Sequence, residues 1–307
     1  MQELVLTYEA VIRLGFFFGV FGLMALWEVI APRRQHMMSK MARWRSNLGM
    51  VLLNTLLLRL LFPMAAVGLA VLGEENGFGL FNTLGSPFWL AVVLSVVAMD
   101  LIIYLQHVAF HAIPALWRLH SMHHADLDFD VTTGVRFHPI EIVLSMVIKL
   151  GVVMMLGPPA VAVILFEVLL NATALFNHAN VHMPTALDRV LRWFVVTPDM
   201  HRIHHSHLPP ETNSNFGFNL PWWDRLLGTY RSQPAEGHEQ MTIGLDPFRD
   251  PQRNTLLWML ALPFIGSSGE YPINRRWRRD SERRAPDVSK SGLIDQPLSK
   301  TTVQKTS

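Results

Sequence analysis

Long apolar runs constrain this chain more than any other feature. About 20 consecutive apolar residues cross a bilayer as a helix, and away from water only a helix or a closed barrel satisfies the backbone polar groups. Four stretches qualify. The first runs from about Ala10 to Ala31 and holds Leu14, Phe16, Phe17 and Phe18. A cleaved leader carries a basic start and a small-residue cleavage site. The opening Met1-Gln2-Glu3 has neither, so a retained helix is expected. The second, about Leu48 to Leu72, contains Arg59 and Pro63 and predicts a kinked span with Arg59 turned toward the bundle interior. The third, Phe88 to about Ala112, is apolar as far as Asp100 and then gains Gln106, His107 and His111. The fourth, Ile140 to Phe176, is broken by Gly157-Pro158-Pro159 and predicts a hairpin of tilted or half-buried helices. The expected fold is all-α: a multi-pass transmembrane bundle of about four membrane segments, the last a helical hairpin.

Composition agrees. Only 16% of residues are charged and half are hydrophobic, against roughly a quarter charged in soluble domains. With no cysteine, disulfides, thiolate zinc sites and iron–sulfur clusters drop out together. A net charge of +2 gives no support for nucleic acid as a partner. Lysine and arginine set the orientation. The connection Pro32 to Asn47 carries Arg33, Arg34, Lys40, Arg43 and Arg45, whereas Gly73 to Pro87 has none and holds Glu74 and Glu75. The first connection is therefore expected in the cytoplasm, and the histidine-rich ends of the third helix and the hairpin return to that side.

Ten of the fourteen histidines fall in four groups: His107-x-x-x-His111, His120-x-x-His123-His124, His178-x-x-x-His182 and His201-x-x-His204-His205. On a helix, side chains three and four apart share a face, so each three-histidine group aims its imidazoles at one locus. One metal rarely takes more than six ligands, so about ten converging imidazoles imply two ions, and imidazole suits iron, zinc, copper or nickel. Asp126, Asp128, Asp199 and Glu141 are candidates to orient ligand rings through their second nitrogen. His36, His207 and His238 stand alone and read as ordinary surface or core residues, and the sixteen methionines as packing filler. A metal transporter would place histidines at the midplane of broken helices, whereas these gather past helix ends. It remains the alternative reading, as a metal-binding protein without oxygenase activity. A zinc hydrolase would show a carboxylate base as in H-E-x-x-H, which is absent from the chain.

These groups, in this order, resemble the fatty acid hydroxylase and sterol desaturase superfamily. The resemblance includes Leu116-Trp117-Arg118 before the second group, and Arg136-x-His138-Pro139-x-Glu141 after it. It ends in Asn215-Phe216-Gly217, Trp223-Asp224 and Gly228-Thr229 after the last group. It covers roughly Phe88 to Arg231. It implies an O2-dependent lipid hydroxylase or desaturase with two iron ions held by His107, His111, His120, His123, His124, His178, His182, His201, His204 and His205. Zinc is a contaminant to expect in purified material. No catalytic residue is assigned beyond these ligands. Arg136, His138, Glu141 and Asp199 are the outer candidates, with a helix start turned by Pro139 the competing reading for the first three.

The resemblance further implies a sterol, fatty acyl or related lipid as substrate, a separate electron-donor protein, and a site at the cytoplasmic face of a bacterial inner membrane or the endoplasmic reticulum. The chain divides into N-terminal helices with their basic connection (1–87), a catalytic domain (88–231), an extension with an interfacial helix (232–266) and a basic, disordered tail (267–307). A lipid is expected to enter between the third helix and the hairpin. The segment Leu208 to Tyr230, with Trp222 and Trp223, either caps that pocket or anchors at the membrane interface.

Overall fold

A computed structural model describes residues 2–265, 269 and 271–273. The main helices are α1 (Glu9–Ile30), α2 (Lys40–Leu61), α3 (Ala65–Asn76), α4 (Phe88–Ala112), α5 (Pro114–His124), α6 (Pro139–Leu156), α7 (Ala160–Asn177), α8 (Thr185–Leu191), α9 (Pro198–His204), α10 (Trp222–Leu226) and α11 (Leu256–Ala261). Among the described residues there is no β-strand, only two isolated bridges, Pro32 with Val181 and Ser206 with Ile243. Five passages are long and apolar enough to cross a membrane: α1, the stretch Lys40–Thr83 that contains α2 and α3, α4, α6 and α7. The four embedded stretches expected from sequence are thus five, the hairpin contributing α6 and α7. The fold is an all-helical, multi-pass membrane bundle.

Pro63 explains the break between α2 and α3, because a proline has no N–H for the helix ladder and its ring clashes with the preceding turn. The inward stripe of α2 is Arg43, Asn47, Met50 and Asn54, all buried. At about 100° per residue, position 59 falls off that stripe. Arg59 is accordingly exposed, which corrects the expectation that it faces the interior. Small side chains let α3 approach the hairpin: Ala66, Val67 and Ala70 pack with Val153 of α6 and Ala160, Val163 and Ile164 of α7. Gly157 turns the hairpin in the left-handed region, φ +58°, and a Cβ there would stand 2.6 Å from the Phe78 carbonyl oxygen. Half of the most apolar window of α7 is buried against 6% of that of α1. The hairpin's second arm is therefore the axis of the bundle, and α1 lies at its edge.

One end of the bundle is polar inside. The Arg43 guanidinium, fully buried, donates to Asp126 through Nε (2.8 Å) and Nη2 (2.7 Å) and to Asp130 through Nη1 (2.6 Å). Asp128 accepts from the backbone N–H groups of Met37 and Met38. Arg33 reaches Asp199 and Glu239, and Arg34 donates to the His238 carbonyl. Much of the basic connection thus grips the polar end, and Asp126 and Asp128 hold that connection instead of orienting imidazoles.

At the C-terminal side, Met259 and Leu262 are buried against Met50, Trp117 and Met122, while Leu257, Trp258 and Phe264 keep their apolar faces exposed. Tyr271 joins the same cluster and stacks on Trp117. Residues 271–273 fall within the stretch expected to form the tail, and there the tyrosine ring has a buried partner. Residues 267, 268, 270 and 274–307 of the expected basic tail lie outside the described residues.

Candidate metal centre

Prolines start three of the helices that build the site. Pro114, Pro139 and Pro198 each occupy the first turn of α5, α6 and α9, where the missing N–H costs nothing and the fixed φ favours a helix. Thr197 caps α9 by accepting from the Met200 N–H. His138 caps α6: its Nδ1 accepts from the Ile140 N–H (3.2 Å) and its Nε2 donates to the Leu260 carbonyl (3.2 Å). That ring is committed to the helix start and touches no ligand imidazole, so the Pro139 turn is its role.

The helices bring nine imidazoles together in two groups. His107, His111, His120, His124 and His204 form one, and His123, His178, His201 and His205 the other; within each, the candidate ligand atoms lie within 4.8 Å of one another. The groups abut, with ring centroids 4.5 Å apart for His124 and His205 and 5.1 Å for His120 and His123. All nine rings are buried. His182 is not among them. α7 ends at Asn177, and four residues on Val181 bridges to Pro32. The four-residue spacing that would align His182 with His178 on a helix is lost. The residue is exposed, with its backbone N–H on the Ala31 carbonyl. His36, His207 and His238 join neither group.

The outward nitrogens decide what the inward ones can do. Nδ1 of His107 donates to the Phe216 carbonyl (2.7 Å), of His204 to Ser214 (2.7 Å), of His123 to Arg136 (3.0 Å) and of His178 to Ala174 (2.9 Å). Nδ1 of His120 donates to the Glu141 carboxylate (2.7 Å), and that of His111 to the Asn213 side-chain oxygen (3.1 Å). A neutral imidazole with its proton on Nδ1 has a bare lone pair on Nε2. Yet Nε2 of His107 lies 3.1 Å from that of His120 and 3.0 Å from that of His204, and His178 lies 3.2 Å from His123 by the same atoms. Each is a contact between two lone pairs, repulsive by itself. A cation between them reverses the sign. Two nitrogens bound at right angles about 2.1 Å from one metal stand about 3.0 Å apart. Neither ring nitrogen of His205 has a hydrogen-bond partner, so the one lone pair of its neutral ring is also open to a metal. The residues fit a metal.

Burial and crowding keep several of these rings uncharged. Desolvation, then neighbouring imidazoles, holds His123, His124, His201 and His205 far below the usual imidazole range. His178 is lowered to about 3, chiefly by desolvation. Phe137 stacks on His123, Phe129 on His178, and Phe216 packs edge-on to His107. This aromatic wall excludes water, so the centre meets positive charge with neutral dipoles and one carboxylate, Glu141.

Of the outer candidates, Glu141 touches one of the nine rings by its side chain and Arg136 another by its carbonyl. The Arg136 guanidinium, lowered by burial to about 10, braces Met122 and Asn254. Asp199 pairs with Arg202 and Arg33 and reaches no ligand.

Spacing alone did not identify Asn213, Ser214 and Phe216, which follow the last group and fix three rings. Asn215 sits between them at φ +53°, a left-handed conformation that asparagine tolerates better than most residues. That conformation lets Ser214 and Phe216 both face the centre. Asp224 secures the turn by accepting from the N–H groups of Phe216 and Gly217 (both 2.8 Å). Of Asn213, Ser214 and Phe216, only Phe216 stands in the motif that follows the last histidine group.

The fatty acid hydroxylase family model matches residues 92–229. Among curated proteins, the chain is 34% identical to an ornithine lipid hydroxylase of Rhizobium tropici over 158 residues, 51% of this chain and 46% of that one. It is 29% identical to an alkylglycerol monooxygenase of Xenopus tropicalis over 45% of this chain and 30% of the relative. To a very-long-chain aldehyde decarbonylase of Oryza sativa subsp. japonica it is 28% identical, over 52% and 28% respectively. The chain spans less than half the length of each. No solved structure matches.

Proposed function

Residues 92–229 belong to the fatty acid hydroxylase family, and from that premise we propose that this chain is a membrane-bound, O2-dependent lipid hydroxylase or desaturase with a non-haem di-iron centre. The observation that carries the reading is the set of bare Nε2 lone pairs facing one another within two adjoining groups of imidazoles. One iron would be held by His107, His111, His120, His124 and His204, the other by His123, His178, His201 and His205. Bound iron supplies the ability to reduce dioxygen and remove hydrogen from an unactivated carbon. Zinc competes for the same nitrogens, because it binds nitrogen donors more tightly than ferrous iron.

Balanced for hydroxylation, dioxygen takes two electrons and two protons from outside. One oxygen atom enters the lipid and the other leaves as water. The protein's own share is positional. Phe216, Ser214, Ala174 and Arg136 carbonyls hold four rings with Nε2 inward, and Glu141 and Asn213 hold two more. Phe129, Phe137 and Phe216 keep water out. The electrons come from a separate donor protein. The reading puts the centre at the cytoplasmic face, of a bacterial inner membrane or the endoplasmic reticulum. Its support is the basic connection at the histidine end and Glu74 and Glu75 at the other.

The test replaces His123 with alanine and compares both forms in membranes. The unaltered protein should hold iron and convert one lipid class to a product heavier by one oxygen atom or lighter by two hydrogens. His123→Ala should lose both iron and product. Iron and turnover retained in the variant would end the assignment.

A further inference from the structure

The turn that follows the last histidine group also closes a seam in the bundle. α4 and α7 both run toward the metal centre, α4 carrying His107 and His111 near its end and α7 stopping one residue before His178. The segment Phe218 to Trp223 crosses from one to the other as a strap. On α7, Asn177 Nδ2 donates to the Phe218 carbonyl (3.0 Å) and Thr173 Oγ1 to Asn219 Oδ1. On α4, Asp100 accepts from Trp223 Nε1 (2.7 Å) and from the Leu220 N–H (3.4 Å). A carboxylate in an apolar helix is expensive, and this one, buried, is committed to holding the strap. Outward of the strap both helices present apolar residues to lipid. Val93 precedes Asp100 by two turns on the same face of α4, and Leu165 and Leu169 lead to Thr173 in steps of four on α7. All three are exposed, so an alkyl chain lying along them runs into the strap.

At the α7 end of the strap the Phe218 ring meets the centre. Its centroid stands 5.4 Å from that of His107 and 6.0 Å from that of His201. Those two imidazoles belong to different groups and lie 6.4 Å apart, so Phe218 covers the join between the groups. The other aromatic neighbours of the centre are held differently. Phe110, Trp117, Phe129 and Phe216 are buried. Phe137 is half-buried but lies flat on His123, 4.5 Å away with 11° between the planes. Phe218 is half-buried and tilted by 58° and 54° to its two imidazoles, so it stacks on neither. Its backbone is pinned by the strap and by the Val196 N–H on the Asn219 carbonyl (3.0 Å). The ring keeps the freedom to turn about its Cα–Cβ bond.

We propose that the lipid reaches the metal centre at Phe218, whose ring gives way to the reacting segment of the alkyl chain and sets how bulky that segment can be. This rests on the oxygenase reading and deepens it by naming a specificity residue. In the position observed, the ring covers His107 and His201 and keeps water from them. Turned aside, it vacates room for a short alkyl segment beside both groups, and the inserted chain takes over the exclusion of water. The strap itself stays in place, because Asp100 and Asn177 hold it from the two helices.

Two measurements on the full chain in phosphatidylcholine nanodiscs test this. The first needs no turnover and follows loss of bound iron to two chelators, bipyridine, which dissolves in the bilayer, and EDTA, which stays in water. Phe218→Ala should speed loss to bipyridine about tenfold, because it leaves an opening that the neighbouring rings do not fill. Loss to EDTA should stay as in the unaltered protein. Phe218→Leu, a milder change for the fold, should act in the same direction, and Leu60→Ala on the lipid side of α2 should have no effect. Equal acceleration toward both chelators marks a general loosening, and a larger effect of Phe137→Ala moves the entry to the other half-buried ring. Either result overturns the proposal, as does no acceleration at all.

The second measurement compares lipid products at matched iron content, in membranes supplied with straight and methyl-branched acyl chains. Phe218→Trp should lower total product about tenfold by crowding the reacting segment. Phe218→Ala should raise the ratio of branched to straight product about tenfold, within the discrimination that one methyl group commands. Normal product from Phe218→Trp, or an unchanged ratio in Phe218→Ala, sinks the specificity role while leaving the oxygenase reading intact. The expected chelator pattern in a protein that changes no lipid sinks the oxygenase reading instead.

Discussion

The two ends of this molecule invert one another. Along α1 the large side chains Leu14, Phe16, Phe18, Leu23 and Leu26 are all more than half exposed, while at the histidine end Arg43, Asp126, Asp130, Arg136, Arg202 and nine imidazoles are buried. The difference lies in the solvent each end meets. Lipid is as apolar as leucine, so the outer bundle gains little by hiding its side chains and is held by close packing and a few ion pairs. The polar end gathers groups that each cost dearly if left unpaired, and their mutual satisfaction defines a single arrangement. Specificity therefore resides in the polar end, and the bundle serves chiefly as its mount.

The largest break in this contrast comes from Arg43→Met. It leaves Asp126 and Asp130 buried without their shared cation and should cost about 3–5 kcal/mol, read as loss of the folded polar end in thermal unfolding. Acid separates the two ends as well. The imidazoles of His123, His124, His201 and His205 have folded-state pKa values below the ordinary 6.5, as do His178 at about 3 and His238 at about 4. The unfolded chain therefore takes up protons that the folded one refuses. Stability is full above about pH 6.5 and falls as pH drops toward those values, by up to about 1.4 kcal/mol per pH unit for each such imidazole. Hydrogen exchange at pH 5 should quicken in α5 and α9 while α7 stays protected.

Smaller changes sharpen the same comparison. Glu141→Gln weakens the grip on the His120 ring and should lower metal affinity roughly 10- to 100-fold, by metal titration, with the fold unchanged. Asn215→Ala loses the residue best suited to φ +53° and should destabilise by about 1–2 kcal/mol, measured by denaturation, with a matching fall in iron occupancy. At the other extreme, Leu23→Ala on the lipid side of α1 should stay within about 0.5 kcal/mol. A large loss there would show that α1 is packed more tightly than its exposure implies.

Much of this was legible in the chain itself. The apolar runs predicted the helices, the break at Gly157-Pro158-Pro159 the hairpin, and the histidine spacing nine of the rings that converge. The failures share a cause. His182 was placed by assuming that a helix continued past Asn177, and Arg59 by assuming that a charge in an apolar run must turn inward. The stripe through Met50 and Asn54 leaves Arg59 outside. Arg43 read as one more cytoplasmic charge, because pairing with Asp126 and Asp130 joins residues more than eighty positions apart.

The sequence by itself determined which segments become helices, since hydrophobic length and proline or glycine breaks act locally, and which residue types supply the centre's nitrogen donors. Only the tertiary structure decided which nitrogen of each ring faces inward. That choice belongs to distant partners, the Phe216 and Ser214 carbonyls and the Glu141 carboxylate, and an imidazole offers its lone pair only where another group has claimed its proton.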